Sequence, residues 1–451
     1  MEIVVGDIYS SILQPRSNPR ALAIIREVCR ARPNGYRFMP KYKSGYWDGY
    51  ISLMKDMSTF PTGLLDLVVG KLDEYGVQAS LWYKDGRLGD FTTVCENDLS
   101  GIILREYQIN AANALLGFRR GVAKMATNSG KTEVMAAIIK ALHVPKTVVL
   151  LHRKELLHQT AKRFEDRLDI RIGKIGDGIW DPQTITVAMI QTLSNKLNVL
   201  DVNGNVLVMI DECHHVSSDT MMDVLSSIPG CYRFGFSGTP LKYDVLSDMK
   251  LIAYTGEVVF DLGNKWMIEH EYSAEPTINV SVISDGDDDL WDMNYSDAYD
   301  NLIVRNDVRN ARIRQFAEND NGTVLILVER IEHGKLLQES IRGSAFVSGG
   351  DSTEFRKEVI DSMGKGGIFI ATPIFDEGID IPAISTLILA GSGKNHVKIL
   401  QRIGRGLRKK ENGNRLTVYD FIDDNNKFLF KQSSARVKLY ASEGFKTTLL
   451  R

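Results

Sequence analysis

One short passage, MATNSGKTEVMAAIIKAL at residues 125–142, narrows the possible folds of this 451-residue chain more than its composition does. Glycine, lysine and threonine open an apolar helix directly after a short segment that reads as buried. Successive backbone N–H groups at such a turn, together with the positive end of the helix dipole, attract anionic oxygens. Thr127, Asn128, Ser129 and Gly130 then form a loop that can cradle phosphates. Lys131 can reach the β and γ phosphates of a nucleotide, and the Thr132 hydroxyl can ligate Mg²⁺. The passage departs from the strict glycine pattern of such loops, with Met125 at the first glycine position and Asn128 at a later one. Asparagine enters the left-handed backbone region more easily than other side chains, so the second departure is tolerable. A turn that merely reads Ser-Gly-Lys-Thr is the rival explanation at this point.

The surrounding pattern asks for a parallel α/β architecture. Past residue 100, the apolar runs TVVLLH (147–152), TITVAM (184–189) and VLVMI (206–210) alternate with longer amphipathic stretches. A second series repeats that character: TVLILV (323–328), GIFIA (367–371), TLILA (386–390) and LTVYDFI (416–422). Runs of this kind predict strands buried on both faces, so two α/β units follow. At about 150 residues per domain the length leaves room for a third. Residues 1–95 look like a small α+β module: ALAIIREVC (21–29) has a helical period, and SGYWDGYISLM (44–54) predicts a strand entered through a glycine-rich turn. LLDLVVGKLDEYG (64–76) predicts a helix ended by glycine. The expected division is 1–95, 96–260, a linker with insertion at 261–300, and 301–451. The linker holds the acidic cluster Asp285, Asp287, Asp288 and Asp289, read as a solvated loop.

Bulk chemistry excludes several classes. With 55 basic and 57 acidic residues the net charge is −2, so any surface for nucleic acid must be local. Cys29, Cys95, Cys213 and Cys231 are widely spaced and form no Cys-x-x-Cys pair, which argues against a disulfide framework and a zinc site. A reducing cytoplasm is expected. No apolar run approaches the roughly 18 residues that a membrane span needs, and the amino terminus lacks the pattern of a signal peptide.

Directly after the predicted strand VLVMI stand Asp211 and Glu212, in DECHH (211–215). A strand's carboxyl end presents side chains into a cleft, and two adjacent carboxylates there invite two tasks. Asp211 would hold Mg²⁺, mostly through water, and Glu212 would polarise an attacking water and accept its proton. The rivals are a surface acidic pair and a metal cluster of Cys213, His214 and His215, although consecutive residues do not easily face one ion.

A phosphate loop followed by a D-E-x-H box resembles the superfamily-two helicases, ATP-driven motors with two RecA-like lobes, and the later motifs fall in that family's order. LREYQ (104–108) resembles the segment that reads adenine, which implies Gln108, with Arg105 nearby, on the base; a helix N-terminal turn would explain the same residues. FGFSGTP (234–240) is similar to the motif whose hydroxyls couple hydrolysis to lobe movement, here Ser237 and Thr239. ATPIFDEGIDIP (371–382) and QRIGRGLRK (401–409) resemble the second lobe's share of the nucleotide site. The resemblance implies Arg405 and Arg408 at the γ phosphate, Gly378 and Asp380 on the ribose and γ-phosphate side, and Gln401 on the nucleotide. Guanidinium suits the first task because it stays charged and binds phosphate oxygens in a fork, typically worth roughly 10³ to 10⁵ in rate. The implied fold class is α/β, two tandem RecA-like parallel-sheet domains preceded by a small α+β domain.

By the same resemblance, Arg153 in HRKELLHQT (152–160) and Thr192 in QTLS (191–194) meet a nucleic-acid backbone in the first lobe. Ser348 in VSGG (347–350) and Thr372 do so in the second. Backbone contacts carry no sequence preference. NGYRFMPKYKSGYWDGYISLM (34–54), with YGVQASLWY (75–83) beyond it, is similar to the N-terminal domain of UvsW-type phage helicases, which remodel branched DNA. There Arg37, Lys41 and Lys43, interleaved with Tyr42, Tyr46 and Trp47, can grip phosphates and stack on an unpaired base. Alternatively, Tyr46 and Trp47 pack the module's own core. The resemblance implies an ATP- and Mg²⁺-dependent DNA helicase, monomeric, acting on forks and junctions in replication, recombination or repair. It implies a cytoplasmic protein, in a host's cytoplasm if phage-encoded, with no membrane partner. A double-strand translocase, an RNA or RNA–DNA hybrid helicase, and a nucleic-acid-binding module that does not hydrolyse ATP stay open as alternatives.

Overall fold

The computed structural model describes residues 1–84, 92–196, 206–241, 244–284, 290–372, 384–391, 393 and 415–450. The chain divides into two compact units, residues 1–125 with 130–262, and residues 126–129 with 263–451.

The first unit begins with strands β1 (Glu2–Val5), β2 (Tyr9–Ile12), β3 (Arg30–Ala31), β4 (Ile51–Ser52), β5 (Thr59–Pro61) and β6 (Ser80–Tyr83). Four of them form a sheet in the order β5-β2-β1-β6, while β3 and β4 pair separately. The helices Pro19–Val28 and Leu65–Glu74 bury their apolar stripes on this sheet: Ile25, Val68 and Leu72 join Ile3 and Ile12 in one core. Sequence dictates their ends. Asn18 accepts the Ala21 N–H at 3.0 Å and Pro19 needs no partner in the first turn, while Gly76, at φ +69°, takes the left-handed turn after the second helix. The strand expected across 44–54 shrinks to Ile51–Ser52 because Gly45 and Gly49 both adopt positive φ and break the extended run.

The larger sheet follows: β7 (Arg120–Met125), β8 (Lys146–Leu151), β9 (Gly173–Gly176), β10 (Ile179–Asp181), β11 (Ile185–Met189), β12 (Val206–Asp211), β13 (Tyr232–Ser237) and β14 (Val258–Leu262). Their order is β10-β9-β11-β8-β12-β13-β7-β14, parallel throughout except for the β9–β10 pair. β8, β12 and β13 are buried almost end to end, which is why their sequences read as unbroken apolar runs. The N-terminal module is seated directly on this lobe. Leu246, Met249 and Ala253, from the helix Val245–Thr255, share a core with Phe60 and Leu64 of the module. Gly63 permits the approach, since a β-carbon there would lie 2.0 Å from the Ile252 carbonyl oxygen.

The second unit's sheet comprises β15 (Glu275–Ile283), β16 (Thr323–Leu327), β17 (Ala345–Val347), β18 (Gly367–Ala371), β19 (Thr386–Leu389), β20 (Arg415–Asp423) and β21 (Lys446–Leu450). It runs β17-β18-β16-β19-β20-β15-β21, every pair parallel. The sequence reading of 261–300 as linker and insertion therefore misses β15, which pairs with β20 along its whole length. β15 lies one strand from the sheet edge and alternates buried with half-buried positions, so it carries no continuous apolar run to betray it. Asp285, Asp287, Asp288 and Asp289 lie outside the described residues. Two buried ion pairs fasten helices to β20: Arg309 Nε to Asp423 Oδ1 at 3.0 Å, and Arg436 Nε to Asp420 Oδ2 at 2.8 Å. Among the described residues, no helix is long and apolar enough to cross a membrane.

Candidate nucleotide site

In a parallel α/β sheet ligands gather outside the carboxyl ends of the strands. On the first sheet β12, β13 and β7 are neighbours, and the register places Asp211 beside Phe236 and Phe236 beside Ala123. The acidic pair, Ser237 and the loop after Met125 consequently leave the sheet at one edge.

The loop turns between Ala126 and Gly130 and enters the helix Lys131–Leu142, for which Gly130 is the N-cap at φ +81°. Asn128 has φ +65°, the left-handed conformation that its place in a glycine-favouring loop calls for. Ser129 is fully buried, and its hydroxyl donates to Ala126 O at 2.8 Å, tightening the turn beside the half-buried Thr127. Lys131 and Thr132 occupy the first helical turn, and Lys131 Nζ folds back to within 3.5 Å of Met125 O. Gly130 offers no capping side chain, so the helix's first N–H groups face the loop.

LREYQ forms the N-terminal turn of the helix Glu106–Leu116. Gln108 is a helix-cap residue, accepting the Arg105 N–H at 2.9 Å, and the Arg105 guanidinium donates to the Tyr107 hydroxyl at 2.9 Å. It is also a neighbour of the loop, since a β-carbon on Gly130 would lie 2.2 Å from Gln108 Nε2.

Glu212 adopts φ +48°, a strained conformation for a residue with a side chain, and such strain collects at working sites. The turn brings its carboxylate to the Ser237 hydroxyl, which donates to Oε2 at 3.3 Å, and to His214 Nδ1 at 3.3 Å. His214 Nδ1 is also 3.0 Å from Ser237 Oγ, which accepts the Thr239 N–H at 3.2 Å. Burial raises both carboxyls, but the outcomes differ. Asp211 ends above the ordinary carboxylate range because burial and the adjacent Glu212 charge outweigh Lys131. For Glu212 the same burial is overcome by Lys131 and by the His214 hydrogen bond, which hold it below that range. The Glu212 carboxylate is thus held ionised near Lys131, a hydrogen-bond acceptor able to orient a water.

A link that sequence reasoning missed extends from this pair. The His215 ring stacks on His152 at 4.3 Å, and Gln191 Nε2 donates to His152 O at 3.3 Å. The acidic box is thereby packed against HRKE and QTLS, the two segments expected to meet nucleic acid; no spacing in the sequence announces that contact. Cys213, by contrast, is buried in the apolar core with Val122 and Ile210. His214 engages Ser237 and Glu212 while its ring lies 4.2 Å from that of His215, which stacks on His152; with Cys213 turned into the core, the described residues hold no group of three side chains placed for a metal ion here.

The remaining candidates divide by place. Arg153 is the N-cap of the helix Lys154–Leu168, and Thr192, half-buried, sits in the helix Ile190–Ser194. In the second unit Ser348 and Thr372 follow the registered pair Val347 and Ala371, so they lie side by side at strand ends. Both are largely buried, and the Ser348 hydroxyl donates to Asp351 Oδ2 at 3.0 Å, so little of either side chain faces solvent. In the module Arg37, Lys41 and Lys43 are exposed and Tyr46 is 91% exposed, while Trp47 is half-buried and donates to Tyr50 O at 2.7 Å. The core alternative thus fails for Tyr46 and holds in part for Trp47. Gly378, Asp380, Gln401, Arg405 and Arg408 lie outside the described residues.

The residues present fit a nucleoside triphosphate with its divalent cation. A loop that a β-carbon would block, a lysine able to swing from Met125 O, and Thr132 with Asp211 as oxygen donors are the chemistry that ATP and Mg²⁺ need.

Comparison with known proteins agrees with this chemistry. Residues 10–81 match the family model for the N-terminal domain of the DNA helicase UvsW. Residues 101–242 match that of the type III restriction enzyme res subunit, and residues 307–410 that of the helicase conserved C-terminal domain. The ATP-dependent DNA helicase uvsW of Enterobacteria phage T4 is 25% identical over 93% of this chain and 93% of its own length. The DNA 3'-5' translocase XPB2 of Sulfurisphaera tokodaii is 23% identical over 69% of this chain and 80% of its own. In fold, the chain is similar to S. cerevisiae Dbp5 bound to RNA and ADP BeF3, with a TM-score of 0.54 at 15% identity, covering 78% of this chain and 90% of that one.

Proposed function

The chain belongs to the superfamily-two helicases, of UvsW type, and from that membership we propose that it is an ATP- and Mg²⁺-dependent DNA helicase that unwinds or branch-migrates forks and junctions. The observation that carries the reading is the meeting of the phosphate loop, the acidic pair and Ser237 at one sheet edge. Lys131 neutralises phosphate charge, Thr132 and Asp211 hold the cation, and Glu212 accepts the proton of the attacking water. Gln108 and Arg105 take the base side, and Arg405 and Arg408 of the second lobe supply the guanidiniums. Ser237 and Thr239 join hydrolysis to movement, because Ser237 touches the carboxylate whose surroundings change as phosphate leaves.

Motion on a track requires that nucleotide alter affinity for it. Packing of His215 on His152 supports that coupling, since it joins the acidic box to the Arg153 and Thr192 segments. The exposed Arg37, Lys41, Lys43 and Tyr46 support a module that grips a fork. A second reading, translocation on duplex without strand separation, is favoured by the likeness to a DNA 3'-5' translocase.

ATPase stimulation at fixed salt across single strand, duplex, fork, four-way junction, RNA and hybrid ligands tests the proposal, since salt alone shifts phosphate-driven binding steeply. Forks and junctions are expected to stimulate most, with strand displacement in parallel. Triplex displacement without strand separation would select the translocase instead, and best stimulation by RNA would reject the DNA assignment.

A further inference from the structure

Between the N-terminal module and the first lobe lies a cavity of ≈ 460 Å³. It opens at the amino ends of β7 and β13, the sheet edge opposite the phosphate loop, and is lined by Asp7, Asp66 and Lys84 from the module and Arg119, Arg120 and Cys231 from the lobe. Arg233 stands behind Arg120 as its registered neighbour on β13, on the same face of the sheet. Its side chain is fully buried: Nη2 donates to Ile228 O, yet Nε and Nη1 have no hydrogen-bond partner among the described residues.

Charge here is unbalanced. Lys84, Arg119, Arg120 and Arg233 bring four positive charges, Asp7 and Asp66 two negative ones, an excess of two among the described residues. Burial, followed by the neighbouring Arg233 charge, lowers the Arg120 pKa to about 9. A buried guanidinium without its hydrogen bonds is costly, and although Arg233 does not itself line the cavity, an anion held there beside Arg120 offsets part of that cost through its charge.

We propose that this cavity binds a nucleotide through its phosphate monoester, a group close to doubly ionised near neutral pH. The volume is that of an organic ligand site, larger than a lone ion needs. Tyr83 and Phe118, 50% and 52% exposed, also line it and offer flat faces to a base, with the Arg119 guanidinium already 5.7 Å from the Tyr83 ring centre. The ligand bridges module and lobe, so it fixes how the module is held. It is distinct from the ATP of the proposed motor, and two sources share its chemistry: a free mononucleotide, or the 5′-phosphorylated end of a DNA strand.

Cys231 reports on the cavity, and the exposed Cys95 serves as reference. The full chain carrying Lys131→Ala, which disables the phosphate loop, is labelled with a maleimide, and each cysteine is followed by peptide mass spectrometry. AMP or a 5′-phosphorylated oligonucleotide at millimolar concentration should slow Cys231 labelling at least fivefold with Cys95 unchanged, and Arg120→Gln should abolish the protection. Protection by AMP assigns the free nucleotide; protection by the phosphorylated strand alone, and not by its 5′-hydroxyl counterpart, assigns the strand end. Calorimetric titration of AMP and of both strands into the same chain measures binding independently of thiol access. Lys84→Gln, at an exposed position, replaces Arg120→Gln if the latter fails to fold. Absence of both protection and binding heat, or full protection in the cavity variant, overturns the proposal, and neither outcome bears on the ATPase reading.

Discussion

Alanine in place of Gly130 makes the free loop relax away from its present conformation, and because ATP binding must restore that conformation against two local costs, affinity should fall roughly 30- to 140-fold. The first is backbone: at φ +81° and ψ +41° a residue with a β-carbon is in the left-handed region, at a cost of about 1–2 kcal/mol. The second is contact. The new β-carbon would stand 2.2 Å from Gln108 Nε2, where ordinary contact begins at 3.4 Å, so the amide must retreat by more than an ångström. That movement breaks the 2.9 Å bond from Arg105 N–H to Gln108 Oε1, worth about 1 kcal/mol net. Together they come to about 2–3 kcal/mol, and each 1.4 kcal/mol is tenfold in affinity. Titration of a fluorescent ATP analogue into wild type, Gly130→Ala, Gln108→Ala and the double variant separates the terms. With Gln108 removed only the backbone part remains, so the cycle should show a coupling of about 1 kcal/mol. Gly76→Ala is the control: its φ is +69° but nothing surrounds it, so it should cost stability and leave ATP affinity unchanged. A Gly130→Ala chain that binds ATP within threefold of wild type, or a strictly additive cycle, would refute this reasoning.

Three other outcomes are expected. Gly63→Ala drives a β-carbon to within 2.0 Å of Ile252 O and 2.6 Å of Ala253 O, backbone atoms that cannot swing aside. Overpacking of this kind costs about 1–3 kcal/mol, so the thermal midpoint should fall and the module should become protease-sensitive; an unchanged midpoint contradicts the seam. Ser237→Ala removes a donor to Glu212 and should keep most basal ATPase while reducing strand displacement more than tenfold; equal loss of both would deny it a coupling role. His333 donates Nε2–H to Asn310 Oδ1 at 2.9 Å with Nδ1 buried and unpaired, and burial, then the Arg309 charge, pushes its pKa down to about 3. Folding therefore favours neutral His333: its contribution is complete above the unfolded pKa of about 6.5 and is lost as pH falls toward 3, by at most about 1.4 kcal/mol per pH unit. Urea midpoints between pH 7 and 5 should fall in wild type and flatten in His333→Gln; parallel curves would count against the burial argument.

What could be read from sequence was whatever local chemistry alone determines. Strands such as Val206–Asp211 announce themselves because burial on both faces demands unbroken apolar residues, and Asn128 could be assigned its left-handed turn from its own conformational ease. β15 could not be read, because its half-buried alternation depends on a position near the sheet edge that only the fold decides. The same limit hid the stacking of His215 on His152 and the pairing of Arg120 with Arg233, side chains far apart in sequence that become neighbours through sheet order. Trp47 was undecidable between core and surface because it does both, half-buried with its indole N–H satisfied by Tyr50 O.

The central claim is that the loop ending in Thr132 and the carboxylate of Glu212 act on one triphosphate. Phosphate release by Lys131→Ala, measured with saturating forked DNA beside wild type, addresses it most directly. The expected result is loss of DNA-stimulated turnover to the level of a chain carrying Glu212→Gln, whereas turnover at the wild-type rate would contradict the account.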